Sequence, residues 1–163
     1  MKGLQHDQLR LRVARLISSN NTKFYGSKGA MDLIEEIASH GQALAHIVRA
    51  ALMPERTTFL TPPEFKQQMG YVVYPAGGEI QRHVHLPLQR QLVGTSEVLI
   101  VKQGRCEMDV YNDARELVAT RELATGDMML MVGGGHGFRM LEPTVLLEVK
   151  QGPYVGLEEK ERF

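Results

Sequence analysis

Residues 97–111 read EVLIVKQGRCEMDVY and contain two short runs of β-forming residues, EVLIVKQ and CEMDVY, with Gly104 between them. Valine, isoleucine and tyrosine are enriched in strands, and a glycine between two such runs is typical of a turn. The stretch therefore predicts two strands of about seven residues that are joined by a turn.

The same alternation of short β-rich runs and turn residues extends over residues 57–152. Seven further β-rich runs follow one another there: TTFL, GYVVY, IQRHVHL, ELVATREL, DMMLMV, HGFRML and TVLLEVK. Turn signals separate them, such as Pro62-Pro63, Gly126-Asp127 and Gly133-Gly134-Gly135. Many short strands with no helical pattern between them predict an all-β sandwich or barrel.

Strand alternation also predicts which side chains of the last run, TVLLEVK, face outward. It puts Glu148 and Lys150 on one outer face, where they form an ion pair, and turns Leu147 and Val149 inward.

The first 56 residues predict a helical extension that packs on the barrel. Apolar residues recur at helical spacing over 9–17, and a second helical pattern, AMDLIEEIASH at 30–40, ends at Gly41. The next run, ALAHIVRAAL at 43–52, fits a helix or a strand, and a strand is favoured. Residues 153–163 form a charged tail that is expected at the surface or across a neighbour.

Composition excludes several classes of function. Nineteen basic residues balance nineteen acidic residues, so no net charge attracts nucleic acid or an anionic membrane. The excess of basic residues within 1–28 favours a solvated helix face, with a phosphate-bearing partner as the alternative. Neither a signal peptide nor a membrane span is recognisable, and the single cysteine, Cys106, excludes an internal disulfide. We expect a cytoplasmic protein in which Cys106 fills the core.

Two histidines one residue apart, His83 and His85, are the strongest functional signal. In a strand their side chains point to the same face, together with that of Gln81. Glu97 shares a face with Leu99, and His136 follows a glycine turn. Burying three imidazoles and a carboxylate without partners is unfavourable, whereas a divalent cation satisfies all four.

The order of these residues resembles the cupin superfamily over about residues 57–152. The first cupin motif has a glycine, five residues, HxH, a gap, a glutamate, six residues and a glycine. Its counterparts here are Gly77, His83, His85, Glu97 and Gly104. The second motif begins at a Gly-Asp turn and reaches a histidine, which Gly126, Asp127 and His136 match.

The resemblance implies a single antiparallel cupin β-barrel, of the jelly-roll type, with one divalent metal ion (zinc, iron, nickel or manganese) inside it. The metal ligands would be His83, His85, Glu97 and His136. A metalloenzyme acting on a small polar metabolite, a carbohydrate derivative or a carboxylic acid, is then expected. Isomerase, lyase and dioxygenase chemistry all occur on this fold. The resemblance also favours a homodimer.

Alternatives to this interpretation remain open. One is a non-catalytic barrel that binds or senses a small molecule; another is an interaction module whose N-terminal helices carry the function. In a barrel without metal, His83 and His85 would be surface residues and Glu97 would pair with Arg82 or Arg90.

Candidate substrate-binding residues lie near the predicted mouth of the barrel. Arg90, in the loop 86–96, can hold a carboxylate or a phosphate through two hydrogen bonds, or form an ordinary salt bridge. Gln81, Tyr71 and Phe138 complete this set. The three remaining histidines, His6, His40 and His46, are expected to be ordinary helix or loop residues.

Overall fold

The structure, a computed structural model, describes residues 22–24, 33–154, 156 and 159–163. Within these ranges the chain is mainly β, contains no α-helix and forms antiparallel sheets, none of which closes into a barrel. The first predicted helix, at 9–17, lies outside the described residues.

In chain order the strands are β1 (Thr22–Phe24), β2 (Ile34–Ser39), β3 (Gln42–Val48), β4 (Thr58–Phe59), β5 (Gly70–Tyr71), β6 (Glu97–Gln103), β7 (Arg105–Tyr111), β8 (Leu117–Ala124), β9 (Met128–Met131), β10 (Gly135–Met140) and β11 (Val145–Lys150). Strands β1-β2-β3-β9-β6-β11 form one sheet in that order. Strands β10-β7-β8 form a second, and β4-β5 form a small third sheet.

Most of the predicted strands are confirmed. The six β-rich runs after residue 96 form β6 to β11, and the ambiguous run at 43–52 contains β3. TTFL and GYVVY form only the two-residue strands β4 and β5. The strand prediction for IQRHVHL, at 80–86, is wrong, because residues 72–96 follow an irregular path with no strand.

The hydrophobic core lies between the six-stranded and the three-stranded sheets. Each sheet contributes alternate side chains of its strands to one buried cluster, in which Met108 and Met129 are fully buried. Cys106 belongs to this cluster, and burial raises the pKa of its thiol, so the prediction that it fills the core is confirmed.

The second predicted helix is wrong over its described residues, because Ile34–Ser39 form β2. All six residues of β2 are buried, including two acidic residues that a helical pattern would place on a polar face. The Arg121 guanidinium holds the Glu35 carboxylate through Nη2–Oε1 at 2.6 Å and Nε–Oε1 at 2.8 Å. Glu36 lies 3.9 Å from His46 of β3, which is therefore a buried strand residue rather than a helix or loop residue.

The predicted faces of β11 are also reversed. Leu147 and Val149 are exposed, whereas Leu146 packs against the core. Leu146, Glu148 and Lys150 pair with Val101, Leu99 and Glu97 of β6, which are buried, so the register puts these three residues on the face toward the core. The ion pair between Glu148 and Lys150 is confirmed, with Oε1 and Nζ 3.1 Å apart.

Strand β3 pairs with β9 over Ala45–Val48, so residues that were assigned to the N-terminal extension share a sheet with the β-rich segment. The boundaries at 56 and 152 stay predictions. In the part of the chain that the structure describes, no helix has the length and apolar character needed to cross a lipid bilayer.

The Glu35–Arg121 pair joins β2 to β8 across the two sheets, and its loss leaves a buried carboxylate. Replacing Arg121 by Met should lower the free energy of unfolding by about 2–4 kcal/mol, because breaking a buried pair by removing one partner is strongly destabilising. Urea unfolding measures this change. The matched control is Arg139→Met, which removes an exposed pair with Glu107 and should cost less than about 1 kcal/mol. Equal losses in the two variants would contradict the account.

Candidate functional site

Glu97 and His136 lie at the same end of the two sheets. Glu97 is the first residue of β6, and its register partners are Met131 at the end of β9 and Lys150 at the end of β11. His136 is the second residue of β10 in the other sheet. The chain crosses between the sheets in the turn that joins β9 to β10, so the two residues meet at this crossing.

The turn that delivers His136 depends on Gly134. Its φ of 64° lies in the left-handed region, and a Cβ at this position would clash with the carbonyl oxygen of Tyr111. Gly135 then pairs with Tyr111, and this pairing starts β10 in register with β7. Only glycine fits this path, and the path places the imidazole of His136 next to Glu97.

Three cationic or basic groups surround the buried carboxylate of Glu97, which is only 6% exposed. Its Oε2 lies 3.3 Å from Nε2 of His136. Its Oε1 lies 3.9 Å from Nζ of Lys150 and 3.8 Å from Nζ of Lys160. A buried carboxylate needs such compensation, since its desolvation is unfavourable.

Burial lowers the pKa of His136 below its usual value, and the ammonium of Lys160 lowers it further. The carboxylates of Glu97 and Glu148 oppose this shift without reversing it. The imidazole is therefore neutral at pH 7 and has a nitrogen available for a proton or a metal ion. A hydrogen bond with Glu148 raises the pKa of Lys150, so its ammonium remains charged.

A cavity of about 870 Å³ opens beside this group. Its walls come from the start of β6, the end of β7, the β9–β10 crossing and the segment 159–163. The lining residues are Gly94, Thr95, Glu97, Tyr111, Arg115, Met131, Gly133, Gly134, Gly135, His136, Gly137, Phe138, Glu159, Lys160, Glu161, Arg162 and Phe163. The volume falls within the range of about 300–1,000 Å³ that is usual for small-molecule sites.

His83 and His85 lie elsewhere, on the irregular segment 72–96, where both are exposed. Their rings contact each other edge to face, with centroids 5.1 Å apart. Nδ1 of His83 donates a hydrogen bond to the carbonyl oxygen of Gln81 at 2.8 Å. The structure thus brings Glu97 and His136 together and keeps His83 and His85 apart from them.

The fit to a metal ion is therefore partial. Glu97 and His136 offer a carboxylate oxygen and an imidazole nitrogen, the donors that zinc and similar ions use. Across the ranges described, however, no group of three or more His, Cys, Asp or Glu side chains is arranged to hold a metal ion. The chain supplies two of the four predicted donors in this conformation.

The predicted substrate-binding residues also separate. Phe138 lines the cavity, with its ring 5.7 Å from that of His136. Tyr71 packs on the small cluster of Ile34, Val48 and Leu52, and burial raises its pKa. Arg90 and Gln81 are exposed on the irregular segment. The substrate roles of all four residues stay predictions.

Several residues that lie beside Glu97 or line the cavity carried no functional signal in the sequence. Lys150 lies beside Glu97 because β11 pairs with β6 in this register. Tyr111 and Arg115 line the cavity because β7 ends there. Lys160 and Phe163 come from a segment that was expected at the surface. The alternation in TVLLEVK does put Lys150 and Glu148 on one face, but only the pairing of β11 with β6 shows that Glu97 is their neighbour.

Comparison of the chain with protein-family models, with curated proteins and with solved structures found no match.

Two substitutions next to His136 should shift its pKa in opposite directions. In chelator-treated protein, Glu97→Gln should lower the pKa of His136 further, because a stabilising negative charge is lost. Lys160→Gln should raise it, because a repelling positive charge is lost. An NMR titration of the imidazole measures both changes, with Lys102→Gln on the exposed end of β6 as the control. Shifts of the same sign in the two variants would contradict the geometry.

Proposed function

We propose that this chain is a cupin-type metal-binding protein that takes a small polar metabolite, a carbohydrate derivative or a carboxylic acid, into the cavity beside Glu97 and His136. The observation that carries this proposal is the contact between these two side chains. They belong to two separate sequence motifs, and both are predicted as ligands of one ion. The first predicted helix, at 9–17, and a homodimer belong to the same proposal.

The metal in this proposal is a divalent ion, zinc, iron, nickel or manganese, held by Glu97 and His136 together with His83 and His85. Such an ion supplies Lewis acidity or a bound water of lowered pKa. Residues 80–86 would have to become a strand, which turns both imidazoles to one face. The exposure of this segment supports such a rearrangement, because few buried contacts oppose it.

The walls of the cavity support a polar and partly anionic ligand. The aromatic rings of Tyr111, Phe138 and Phe163 offer flat apolar surfaces, while Arg115 and Lys160 offer cationic donors. Apolar walls with a few polar groups are typical of small-molecule sites. Cationic side chains bind carboxylates and phosphates through charge-assisted hydrogen bonds.

In this proposal the neutral imidazole of His136 accepts a proton or holds the ion, and Glu97 orients its ring. The same buried carboxylate excludes a second anion from its immediate surroundings. A ligand's anionic group is therefore directed toward the cationic side chains of the cavity wall and not toward Glu97.

A non-catalytic protein that binds or senses a small molecule is the second candidate. One observation favours it: Lys150 and Lys160 already face Oε1 of Glu97, and His136 faces Oε2. These groups compensate the carboxylate without a metal. This candidate keeps the cavity and its ligand, and it needs no rearrangement of residues 72–96.

Metal content separates the two candidates. We expect untagged protein, purified without chelator and reconstituted with zinc, iron, nickel or manganese, to retain nearly one equivalent of one of them by elemental mass spectrometry. Glu97→Gln, His136→Ala and the double variant His83→Ala/His85→Ala should each retain much less, because each removes predicted donors.

The control for this experiment is His40→Asn, which removes an exposed histidine from the β2–β3 turn. Asparagine tolerates the φ of 49° at that position, so the turn is kept. Metal that persists in all three ligand variants would contradict the predicted ligand set. If the wild-type protein retains no metal after reconstitution, the metal-binding candidate is contradicted and the non-catalytic candidate is favoured.

A further inference from the structure

The segment 159–163, part of the predicted charged tail, is exposed and also forms a wall of the cavity. All five of its residues line the cavity. Two contacts fix its position, and both involve Arg115 of the turn between β7 and β8. The first is a salt bridge of 2.7 Å between Nη2 of Arg115 and Oε1 of Glu161.

The second contact is the packing of Phe163. Its ring meets that of Tyr111 edge to face, with centroids 5.2 Å apart, and the guanidinium of Arg115 lies 5.3 Å from its centroid. Gly135 leaves room for this ring, since a Cβ there would come within 3.2 Å of it. Aromatic and cation–π contacts of this kind are attractive and hold the ring against the end of β7.

Arg115 is itself held in an unusual conformation. Its φ of 64° lies in the left-handed region, which is uncommon for a residue with a side chain. Its N–H donates to the carbonyl oxygen of Asn112 at 2.9 Å, and the N–H of Glu116 donates to the side chain of Asn112 at 2.9 Å. The turn therefore fixes the guanidinium that contacts both Glu161 and Phe163.

Because Glu161 and Phe163 hold the segment in this position, Lys160 lies close to Glu97. Its Nζ lies 3.8 Å from Oε1 of Glu97, which is beyond hydrogen-bond distance, and its side chain is 57% exposed. An ammonium has three donors. The distance leaves them available to a ligand, whereas the less exposed Lys150 is hydrogen-bonded to Glu148.

We propose that Lys160 is a ligand-binding residue of the cavity: its ammonium holds the anionic group, a carboxylate or a phosphate, of a small metabolite that lies beside Glu97 and His136. Phe163 is the positioning residue that keeps Lys160 there. This inference rests on the proposed function in that a small molecule occupies the cavity.

The test is a titration of the ¹⁵N-labelled chain of residues 1–163 with malonate and with inorganic phosphate, followed by NMR of the amides of Gly135, Gly137 and Lys160. Malonamide serves as the neutral probe. We expect saturable shifts with malonate, phosphate or both, which tells a carboxylate site from a phosphate site, and none with malonamide. Lys160→Gln should weaken the binding by about tenfold or more, since a charge-assisted hydrogen bond is lost.

Two further comparisons separate a direct contact from a general electrostatic effect. Lys102→Gln removes the same charge from the exposed end of β6, outside the cavity, and should weaken binding by less than about threefold, as expected for a screened charge. Phe163→Ala should weaken binding toward the level of Lys160→Gln, and Phe163→Tyr, which keeps the ring, should restore it.

The outcomes test the role of Lys160 separately from the proposal that a small molecule binds in the cavity. Equal effects of Lys160→Gln and Lys102→Gln, or no effect of Lys160→Gln, would overturn the role of Lys160 while saturable shifts in the wild type still supported a ligand cavity. Equal binding of malonamide and malonate would also overturn the role of Lys160, because a neutral ligand does not need its charge. A wild type that shows no saturable shift with any of the three probes would overturn both.

Discussion

The carboxylate of Glu97 is buried at the start of a core strand, and its charge has to be compensated within a few ångströms. Three separate parts of the chain meet this need: β10 with His136, β11 with Lys150, and the segment 159–163 with Lys160. Because these parts are distant in sequence, the compensation of one charge ties together both sheets and the cavity wall.

The same arrangement governs what can bind at the site. One oxygen of Glu97 faces the imidazole of His136 and the other faces two ammonium groups. A divalent cation at the second oxygen would meet like charges, so it would displace Lys160 more readily than the hydrogen-bonded Lys150. Metal binding and the position of the segment 159–163 are therefore expected to be coupled. The anionic ligand proposed for Lys160 would, in contrast, approach its ammonium without displacing it.

Local pattern predicted most of the strands because they alternate between a buried and an outer face. Strands β6 and β7 show this alternation on both sides of Gly104. The pattern failed for β2, whose acidic residues are buried: Glu35 pairs with the distant Arg121, and Glu36 lies beside His46 of the neighbouring strand β3. It also failed for residues 80–86, which alternate but form no strand. A short window of sequence predicts neither the buried strand β2 nor the irregular path of residues 80–86, because both depend on contacts with other parts of the chain.

The candidate site was partly predictable for a similar reason. Motif spacing pointed to Glu97 and His136, and the structure brings these two side chains into contact. Lys150 depends on the register of β11 against β6, and Lys160 on the anchoring of Phe163, so both needed the tertiary structure. The association of His83 and His85 with this pair stays a prediction.

The contact between Glu97 and His136 can be tested directly by a double-mutant cycle. The free energies of unfolding of the wild type, Glu97→Gln, His136→Gln and the double variant give the coupling between the two side chains. A contact of 3.3 Å predicts a coupling of at least about 0.5 kcal/mol at a pH below the lowered pKa of His136, where the imidazolium faces Glu97, and a smaller coupling at pH 7, where the imidazole is neutral. Additive effects at every pH would contradict the central claim that the two motifs form one site.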